Sequence, residues 1–448
     1  MAKKPTVAVI GGGISGMVTA RILQDHMEVT LFEALPRLGG HADTREVQLS
    51  TGGTVAVDIG FVWYNDLTYK NLIRLFDELK IESVPAAVTA DVVCKNCGYQ
   101  AVIDETLLNE GNHRKPENLS LQDWQRYLDE TKRIVPQLAE AGERGDVRLT
   151  IKEFLDGYGY SRFFLHHYIY PRFSTHLLTY PPKVGDIPVQ LLFEALVAHN
   201  LAGDTKGSTW RAIKGGTKSY IDALAAGLEK VKVSTPIASV RRGKGGVRVQ
   251  EEFTGQVHKF DKVVLAVHAP TALQILTDPT DMERKLLGAI KYASSRMQLH
   301  KDTSVFSAPD THHACRFITH CSMVSPRGEY HIDGTALAQL PTEERFVFSS
   351  NSDLDPSTVL AEVEYRHIIW NTESYEAQRR LPEISNQLTA FAGAYHHGFG
   401  WHEDGYLSAI NAAKSLGVPL PDAQVDRSAM EHSGHPTQTP PSLKEKNQ

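Results

Sequence analysis

The sequence predicts an α/β fold built around a parallel sheet, with a second domain beside it, and three observations carry the prediction. Thr6 to Ile10 is an unbroken apolar, β-branched run, the composition of a parallel strand buried on both faces. Three glycines follow at once. Ile14 to Gln24 then places Ile14, Met17, Val18, Ile22 and Leu23 at helical spacing, and Glu28 to Phe32 returns to a strand pattern. The chain has 448 residues, more than one core usually serves, so two or more domains are expected.

The later segments read in order as further α/β pieces. Lys70 to Leu79 puts Leu72, Ile73, Leu75, Phe76 and Leu79 on one helical stripe. Leu119 to Ala141 and Leu149 to Leu165 are expected as helices, Pro181-Pro182 breaks the run, and Pro188 to Leu201 resumes it. Ser219 to Lys230 is a further amphipathic helix. Val231 to Phe253, with Gly243, Gly245 and Gly246 at its middle, predicts strands around a turn. Asp261 to Val267 is again a buried-strand pattern, Ala293 to Phe348 is strand-like and loop-rich, and Phe391 to Leu416 closes with a glycine-rich loop and a helix. Residues 421–448, with Pro436 to Pro441, are expected to form a weakly ordered tail.

Composition removes several classes of function. Hydrophobic residues make up 41% and charged residues 22%, the balance of a globular protein, and the formal net charge is −6, which offers no basic field to nucleic acid. No apolar run approaches the ~20 residues that span a bilayer, so no transmembrane segment is expected. Lys3-Lys4 before Val7 to Ile10 imitates a signal peptide, but the glycines interrupt the apolar run and no small-residue cleavage site follows; the expectation is a cytoplasmic protein. Four cysteines fit a reducing compartment without a disulfide framework.

Gly11-Gly12-Gly13-Ile14-Ser15-Gly16 is G-x-G-x-x-G, placed between a strand and a helix, which is the context that gives the pattern meaning. Gly11 allows the tight turn, Gly13 lets the backbone approach a pyrophosphate, and Gly16 lets helix and strand pack closely. Ile14 and Ser15 open a helix whose free N–H groups and positive dipole end suit phosphates. Glu33 ends the second strand, 22 residues after Gly11, where a carboxylate accepts ribose hydroxyls and repels the 2′-phosphate of NADP. The unit is a Rossmann-like dinucleotide site.

Arg37-Leu38-Gly39-Gly40 follows the acid after a three-residue gap, and here the sequence resembles the FAD-dependent amine oxidase and phytoene desaturase superfamily. The resemblance implies FAD, with Arg37, Gly39 and Gly40 lying along the pyrophosphate and flavin; His41 stands where the family usually has arginine. Val233 to Val240 looks like the strand beside the adenine, with Ile237 the implied contact through its backbone, and Asp261 to Pro270 looks like the return strand of the FAD domain. Phe391-Ala-Gly-Ala394 with Glu403-Asp404-Gly405 and a helix over Tyr406 to Leu416 resembles the closing flavin segment, which implies cofactor contacts from Gly393, Glu403 and Asp404. The string Gly393 to Gly405, Gly39-Gly40-His41 and Leu299 to Asp302 look most like bacterial flavoproteins described only as NAD/FAD-binding or amine oxidase-like; the polyunsaturated fatty acid isomerases are more distantly similar. The implied architecture is an FAD-binding domain from 1–85, 210–275 and 385–420, with a discontinuous α+β substrate domain from 86–209 and 276–384.

The chemistry then belongs to the flavin, with the protein supplying orientation and electrostatics to a small-molecule substrate. Tyr395, His396, His397 and His402 are the candidate catalytic residues, because they crowd the loop placed by resemblance at the flavin. Phe399, Trp401 and Trp370 join Tyr395 as candidate aromatics against the flavin. Amine oxidases commonly place a lysine near the flavin in the strand read here as Tyr292 to Lys301; Lys301 is the candidate for that role, with a surface pair to Asp302 the equal alternative. His166, His167, Tyr168, Tyr170, Arg172 and His176 read as substrate-domain helix. Cys94-Lys-Asn-Cys97 offers half of a zinc set that Cys315, Cys321, His312, His313 and His320 could complete, but the spacing matches no compact knuckle, so free thiols and no metal are expected. The resulting expectation is an FAD-dependent oxidoreductase taking a hydride from a small amine or a lipid-like or secondary-metabolite substrate, with dioxygen among the acceptors. The alternatives are a flavin-dependent isomerase, of fatty-acid double bonds or of a sugar nucleotide, with no net redox change, and a flavin-binding protein without turnover.

Overall fold

Thr6–Ile10 becomes the middle strand of a five-stranded parallel sheet, in the order Val231–Lys232, Glu28–Phe32, Thr6–Ile10, Lys262–Leu265, Thr389–Phe391. The computed structural model describes residues 3–103, 112–176, 181–198, 209–306, 313–321 and 328–419. Counted along the chain the strand order is 3-2-1-4-5, the doubly wound order that opens a crevice where the winding reverses, beside the first strand. Alternation divides the first strand between two cores: Val7 and Val9 pack with Met17, Val18 and Leu31 on one face, Ala8 and Ile10 with Val263, Leu265 and Val249 on the other.

Helix Ile14–Leu23 covers the first face together with helix His402–Ser415, although the two lie almost 400 residues apart. Their approach is close enough that a Cβ on Gly405 would stand 2.8 Å from Ile14 Cγ2 and 3.0 Å from Ser15 Oγ. The opposite face carries the antiparallel meander Ile237–Gly243, Gly246–Glu251 and Val257–Phe260. Within 276–384, helix Asp281–Ala289 and the turn Leu381–Ile384 bury Leu286, Leu287, Leu381 and Ile384 in the core shared with that face of the sheet.

The second layer is an eight-stranded mixed sheet ordered Val359–Ile369, Lys291–His300, Val347–Ser350, Gly328–Asp333, Cys315–Thr319, Ala90–Cys94, Gln100–Ile103, Asn112–Arg114. Only the Ala90–Cys94 and Cys315–Thr319 pair runs parallel. Helices Leu121–Glu143, Ile151–Gly157 and Val189–Ala198 share its core through residues such as Tyr127, Ile134, Phe154 and Leu192. A small antiparallel sheet, Tyr64–Asn65, Trp210–Ile213 and Ser83–Pro85, lies between the two layers along the chain.

Several boundaries differ from the sequence reading. The helix expected over Leu149 to Leu165 stops at Gly157, because Gly159 takes φ +67° and Ser161 restarts a helix by accepting the Phe164 N–H at 3.1 Å. Pro181-Pro182 starts a helical turn, since proline lacks only a donor that the first turn does not use. Val231–Lys232 leaves the expected hairpin to become the edge of the parallel sheet. The closing helix begins at His402, four residues earlier than expected. The expected tail, 421–448, lies outside the described residues. Among the described residues no helix is long and apolar enough to cross a membrane.

Candidate active site

The crevice of the parallel sheet opens into a cavity of about 580 Å3 that runs from Gly11 and Glu33 past His41 to Trp63, Trp210 and Phe348 on the eight-stranded sheet. At the sheet end two glycine pairs face each other. Gly39 donates its N–H to the Gly12 carbonyl at 2.8 Å, and Gly13 and Gly39 pair as an isolated bridge. A Cβ on Gly13 would meet nothing closer than Gly40 Cα, at 4.0 Å, so the space in front of it is open for a ligand. Gly16 differs: its Cβ would lie 1.8 Å from the Gly11 carbonyl oxygen, so here glycine is required by the fold itself. No side chain caps helix Ile14–Leu23, which leaves its first N–H groups facing the crevice. The Glu33 carboxylate accepts the Gly12 N–H at 2.6 Å and the Leu35 N–H at 2.8 Å and lines the same cavity. A cradle without side chains, an uncapped helix and an acid at the second strand fit the ADP half of FAD.

The loop after the second strand is held from behind. Arg37 donates to Asp43 Oδ2 at 2.7 Å and to the Gly40 and Ala42 carbonyls at 3.1 and 3.2 Å, and it does not line the cavity. Arg45 and the Tyr365 hydroxyl converge on the same Asp43 oxygen, each at 2.9 Å. Arg37 therefore shapes the loop that presents Gly39, Gly40 and His41, a role different from the direct contact implied by resemblance.

His41 stacks on Tyr365 with centroids 4.7 Å apart and meets the edge of His367 at 5.5 Å; His268, at 6.2 Å, stacks in turn on Tyr292. Burial, with a smaller contribution from neighbouring charges, lowers His41 to about 3 and His268 and His367 to about 4, so all three imidazoles are neutral at pH 7. Between about pH 6.5 and pH 4 the unfolded chain binds more protons at these positions than the folded one, so their contribution to stability is lost on acidification. His367→Gln is expected to flatten the dependence of unfolding free energy on pH over that window by up to about 1.4 kcal/mol per pH unit. Urea unfolding at stepped pH measures it, and an unchanged slope would contradict a neutral His367.

The closing segment is divided. Tyr395 and His402 line the cavity; His396 and His397 do not. Gln378 Nε2 donates to the Tyr395 and Gly398 carbonyls, both at 3.1 Å, which fixes the loop with His396 behind Tyr395, ring centroids 4.6 Å apart. His397 Nε2 meets the Asn411 amide at 3.0 Å. His402 stacks on Phe61 at 4.0 Å and 6°, with Nε2 2.6 Å from the Tyr220 hydroxyl, and burial lowers it to about 3. Gly393 lines the cavity, and any Cβ there would strike the Tyr395 ring at 2.4 Å.

Glu403 and Asp404 point elsewhere. Glu403 accepts the Asn71 and Leu72 N–H groups at 3.0 Å and the Asn71 amide at 2.6 Å, holding the start of helix Lys70–Leu79. Asp404 accepts the Trp401 and Gly400 N–H groups at 2.8 and 3.1 Å and caps its own helix, with burial raising its carboxyl well above the usual range. Because the helix begins at His402, both acids lie in its first turn, where Asp404 satisfies donors at its own helix start and Glu403 reaches those of helix Lys70–Leu79. Ile237 packs in the core under the meander and does not line the cavity.

The far end is apolar and aromatic. Trp63 and Trp210 meet edge to face at 6.3 Å, and Trp370, Phe399, Trp401, Met297, Ile332 and Phe348 complete that end of the cavity. Among the described residues no lysine lines it; Lys301 pairs with Glu344 at 2.7 Å on the surface, and Asp302 accepts the Ser304 N–H instead. Sequence reasoning missed Tyr365, His367, His268, Trp63 and Trp210. The first two were discernible, since positions 365 and 367 of one strand share a face, and His268 stands just beyond the strand Lys262–Leu265, where ligands of parallel sheets bind.

Sheet order, crevice and glycine cradle define a dinucleotide-dependent enzyme class. Residues 14–297 match the family model of flavin containing amine oxidoreductases, and the chain belongs to that family. It is a flavoprotein that uses FAD in oxidation. Cyclohexylamine oxidase from Brevibacterium oxydans IH-35A is similar in structure, with a TM-score of 0.65 and 16% identity over 92% of this chain and 98% of that one. A CLA-producing fatty acid isomerase from P. acnes is equally similar, with a TM-score of 0.65 and 15% identity over 93% of this chain and all of that one. In sequence, 58 residues are 43% identical to carotenoid phi-ring synthase of Streptomyces griseus, a match spanning 13% of this chain and 11% of that protein.

Proposed function

We propose that the chain oxidises a hydrophobic, lipid-like substrate held at the aromatic end of the cavity, with FAD lying between that end and the glycine cradle. The continuity of one cavity from Gly13 to Trp210 carries this reading. Gly13, Ile14, Ser15 and Gly16 would hold the pyrophosphate by backbone N–H groups, Gly11, whose own N–H donates to the Phe32 carbonyl at 2.8 Å, would shape the turn, and Glu33 would exchange its bonds to Gly12 and Leu35 for ribose hydroxyls. Gly39, Gly40, His41 and Gly393 line the path toward the flavin. FAD, when bound, supplies the acceptor for a hydride from substrate and is reoxidised by dioxygen or another acceptor.

The protein's part is binding, orientation and exclusion of water. Tyr395 is 1% exposed, its hydroxyl has no hydrogen-bond partner among the described residues, and burial keeps it protonated, so it offers one donor to whatever fills the cavity. The three neutral imidazoles of His41, His268 and His367, with His402 on the other side, present hydrogen-bonding groups without charge. Glu33 is the sole carboxylate lining the cavity among the described residues, and it stands at the cofactor end. An ammonium substrate would have no counter-charge beside Trp63 and Trp210, which favours an uncharged substrate over a small amine.

The missing lysine also supports a second reading, isomerisation of a fatty-acid double bond without net oxidation. Anaerobic mixing with amines and with unsaturated fatty acids separates the two: lasting loss of the flavin colour marks oxidation, and product formed without it marks isomerisation. Bleaching by small amines alone would overturn the lipid-like reading. Trp63→Ala is expected to raise KM for the active substrate about tenfold or more while FAD content stays unchanged, because the ring contributes apolar contact only at the far end. An unchanged KM would place the substrate elsewhere.

A further inference from the structure

We infer that the chain carries a structural zinc site, separate from the flavin cavity, formed by Cys94, Cys97, His167 and Cys321. Their four ligand atoms all lie within 4.8 Å of one another, and none of the residues lines the cavity. A tetrahedral zinc with Zn–S about 2.3 Å and Zn–N about 2.0 Å sets neighbouring sulfurs about 3.8 Å apart and sulfur and nitrogen about 3.5 Å apart. Cys97 Sγ and His167 Nε2 already stand 3.2 Å apart, so closing the set around one ion needs side-chain shifts of an ångström or less.

The backbone delivers these side chains from three distant stretches. Cys94 ends strand Ala90–Cys94, and the turn that follows folds Gly98 N–H onto the Cys94 carbonyl at 3.0 Å while Cys94 N–H donates to the Tyr99 carbonyl at 2.9 Å. Gly98 takes φ +75° with open space around it, so its conformation, not crowding, asks for glycine. Both cysteines of the C-x-x-C turn thereby enter one cluster. Cys315–Thr319 runs parallel to Ala90–Cys94 with Thr319 opposite Cys94, and Cys321, two residues further on, arrives over the turn. His167 comes from Leu165–Ile169, a single π-type turn between two α-helical pieces, a feature frequent at functional sites.

His167 is oriented as a ligand. Its Nδ1 lies 2.9 Å from the Phe163 carbonyl, which can only accept, so Nδ1 carries the hydrogen and Nε2 keeps its lone pair toward the thiols. The ring is also stacked on Phe163 at 4.0 Å. The sequence offered Cys315, Cys321, His312, His313 and His320 as possible completing ligands, and their spacing argued against a metal; of these, Cys321 is the one in the cluster. Cys315 lies outside the cluster, His313 approaches Asp91 at 3.8 Å, His320 approaches Glu329 at 3.2 Å, and His312 is outside the described residues. Three thiolates and one imidazole are the soft, four-membered set that selects zinc and leaves no open position, so the site is structural and each thiol gives up its proton to solvent on binding.

Metal analysis of the full-length flavoprotein, purified with reductant and without chelator, is expected to give about one zinc per chain. Cobalt(II) in its place should show the intense visible bands of a tetrahedral thiolate site. Cys97→Ser and Cys321→Ser are each expected to lose at least about nine-tenths of the zinc, and His167→Gln provides a third variant should a cysteine change prevent folding; retained FAD colour certifies the fold. Protein that holds no zinc and takes none up on refolding with zinc(II) would overturn the inference. Iron in place of zinc, or full zinc in folded Cys97→Ser, would overturn it equally.

Discussion

Gly13→Val is expected to yield a folded protein that no longer binds FAD. Gly13 has φ −76° and ψ 179°, which valine adopts without strain, and its Cβ would find only Gly40 Cα at 4.0 Å. The two added methyl groups would instead fill the opening between the glycine pairs, where the pyrophosphate approaches the backbone. A loss of at least about a hundredfold in affinity, about 2.7 kcal/mol, is the expected size. The absorbance of co-purifying flavin measures it, with the thermal unfolding midpoint matching that of the FAD-stripped wild type. A stoichiometrically yellow Gly13→Val protein would refute the cradle. Gly16→Val makes the contrast: its Cβ would overlap the Gly11 carbonyl at 1.8 Å, so that variant is expected not to accumulate as folded protein at all.

Glu403→Ala is expected to destabilise the fold and leave the cofactor site intact. The carboxylate is 2% exposed and accepts three hydrogen bonds from Asn71 and Leu72, tying helix His402–Ser415 to the start of helix Lys70–Leu79. Truncation leaves those buried donors to find other acceptors, a cost of about 2–4 kcal/mol. Thermal or urea unfolding of the variant should show it, and Glu403→Gln should recover part, since an amide oxygen still accepts. FAD affinity below the melting range should be unchanged. Weakened FAD binding with an unaltered unfolding midpoint would mean that Glu403 acts on the cofactor, as the family resemblance implied.

These two residues show how far the sequence could be read. Gly13 was legible because its requirement is local: a strand, a turn and a helix N-terminus within a dozen residues express one piece of backbone geometry. Glu403 and Asp404 were read as cofactor contacts because motif position says which segment nears a ligand but not which way each side chain turns. A shift of the helix start from Tyr406 to His402 gave Asp404 to the N–H groups before its own first turn, and the start of helix Lys70–Leu79 captured Glu403. Arg37 shows the same effect, since Asp43, six residues on, captured it. Cys94 and Cys97 were read as half a metal set with Cys321 among five possible companions, but no metal was expected and His167 was not among them, because a parallel strand pairing and a π-type turn decide which distant side chains arrive.

By itself, the sequence determined the α/β class and, through the family resemblance, FAD and the chain's likeness to flavin amine oxidoreductases. The class rests on short segments whose spacing is dictated by backbone hydrogen bonding and periodicity, and the cofactor and the likeness on the motifs that carry the family resemblance. Only the tertiary structure decided that His41 meets Tyr365, His367 and His268, that Glu403 braces a helix, and that Trp63 and Trp210 close the far end of one cavity. The physical reason is common to all three. Each depends on side chains from segments tens to hundreds of residues apart, brought into register by sheet pairing and core packing, and no local pattern encodes which of them will touch.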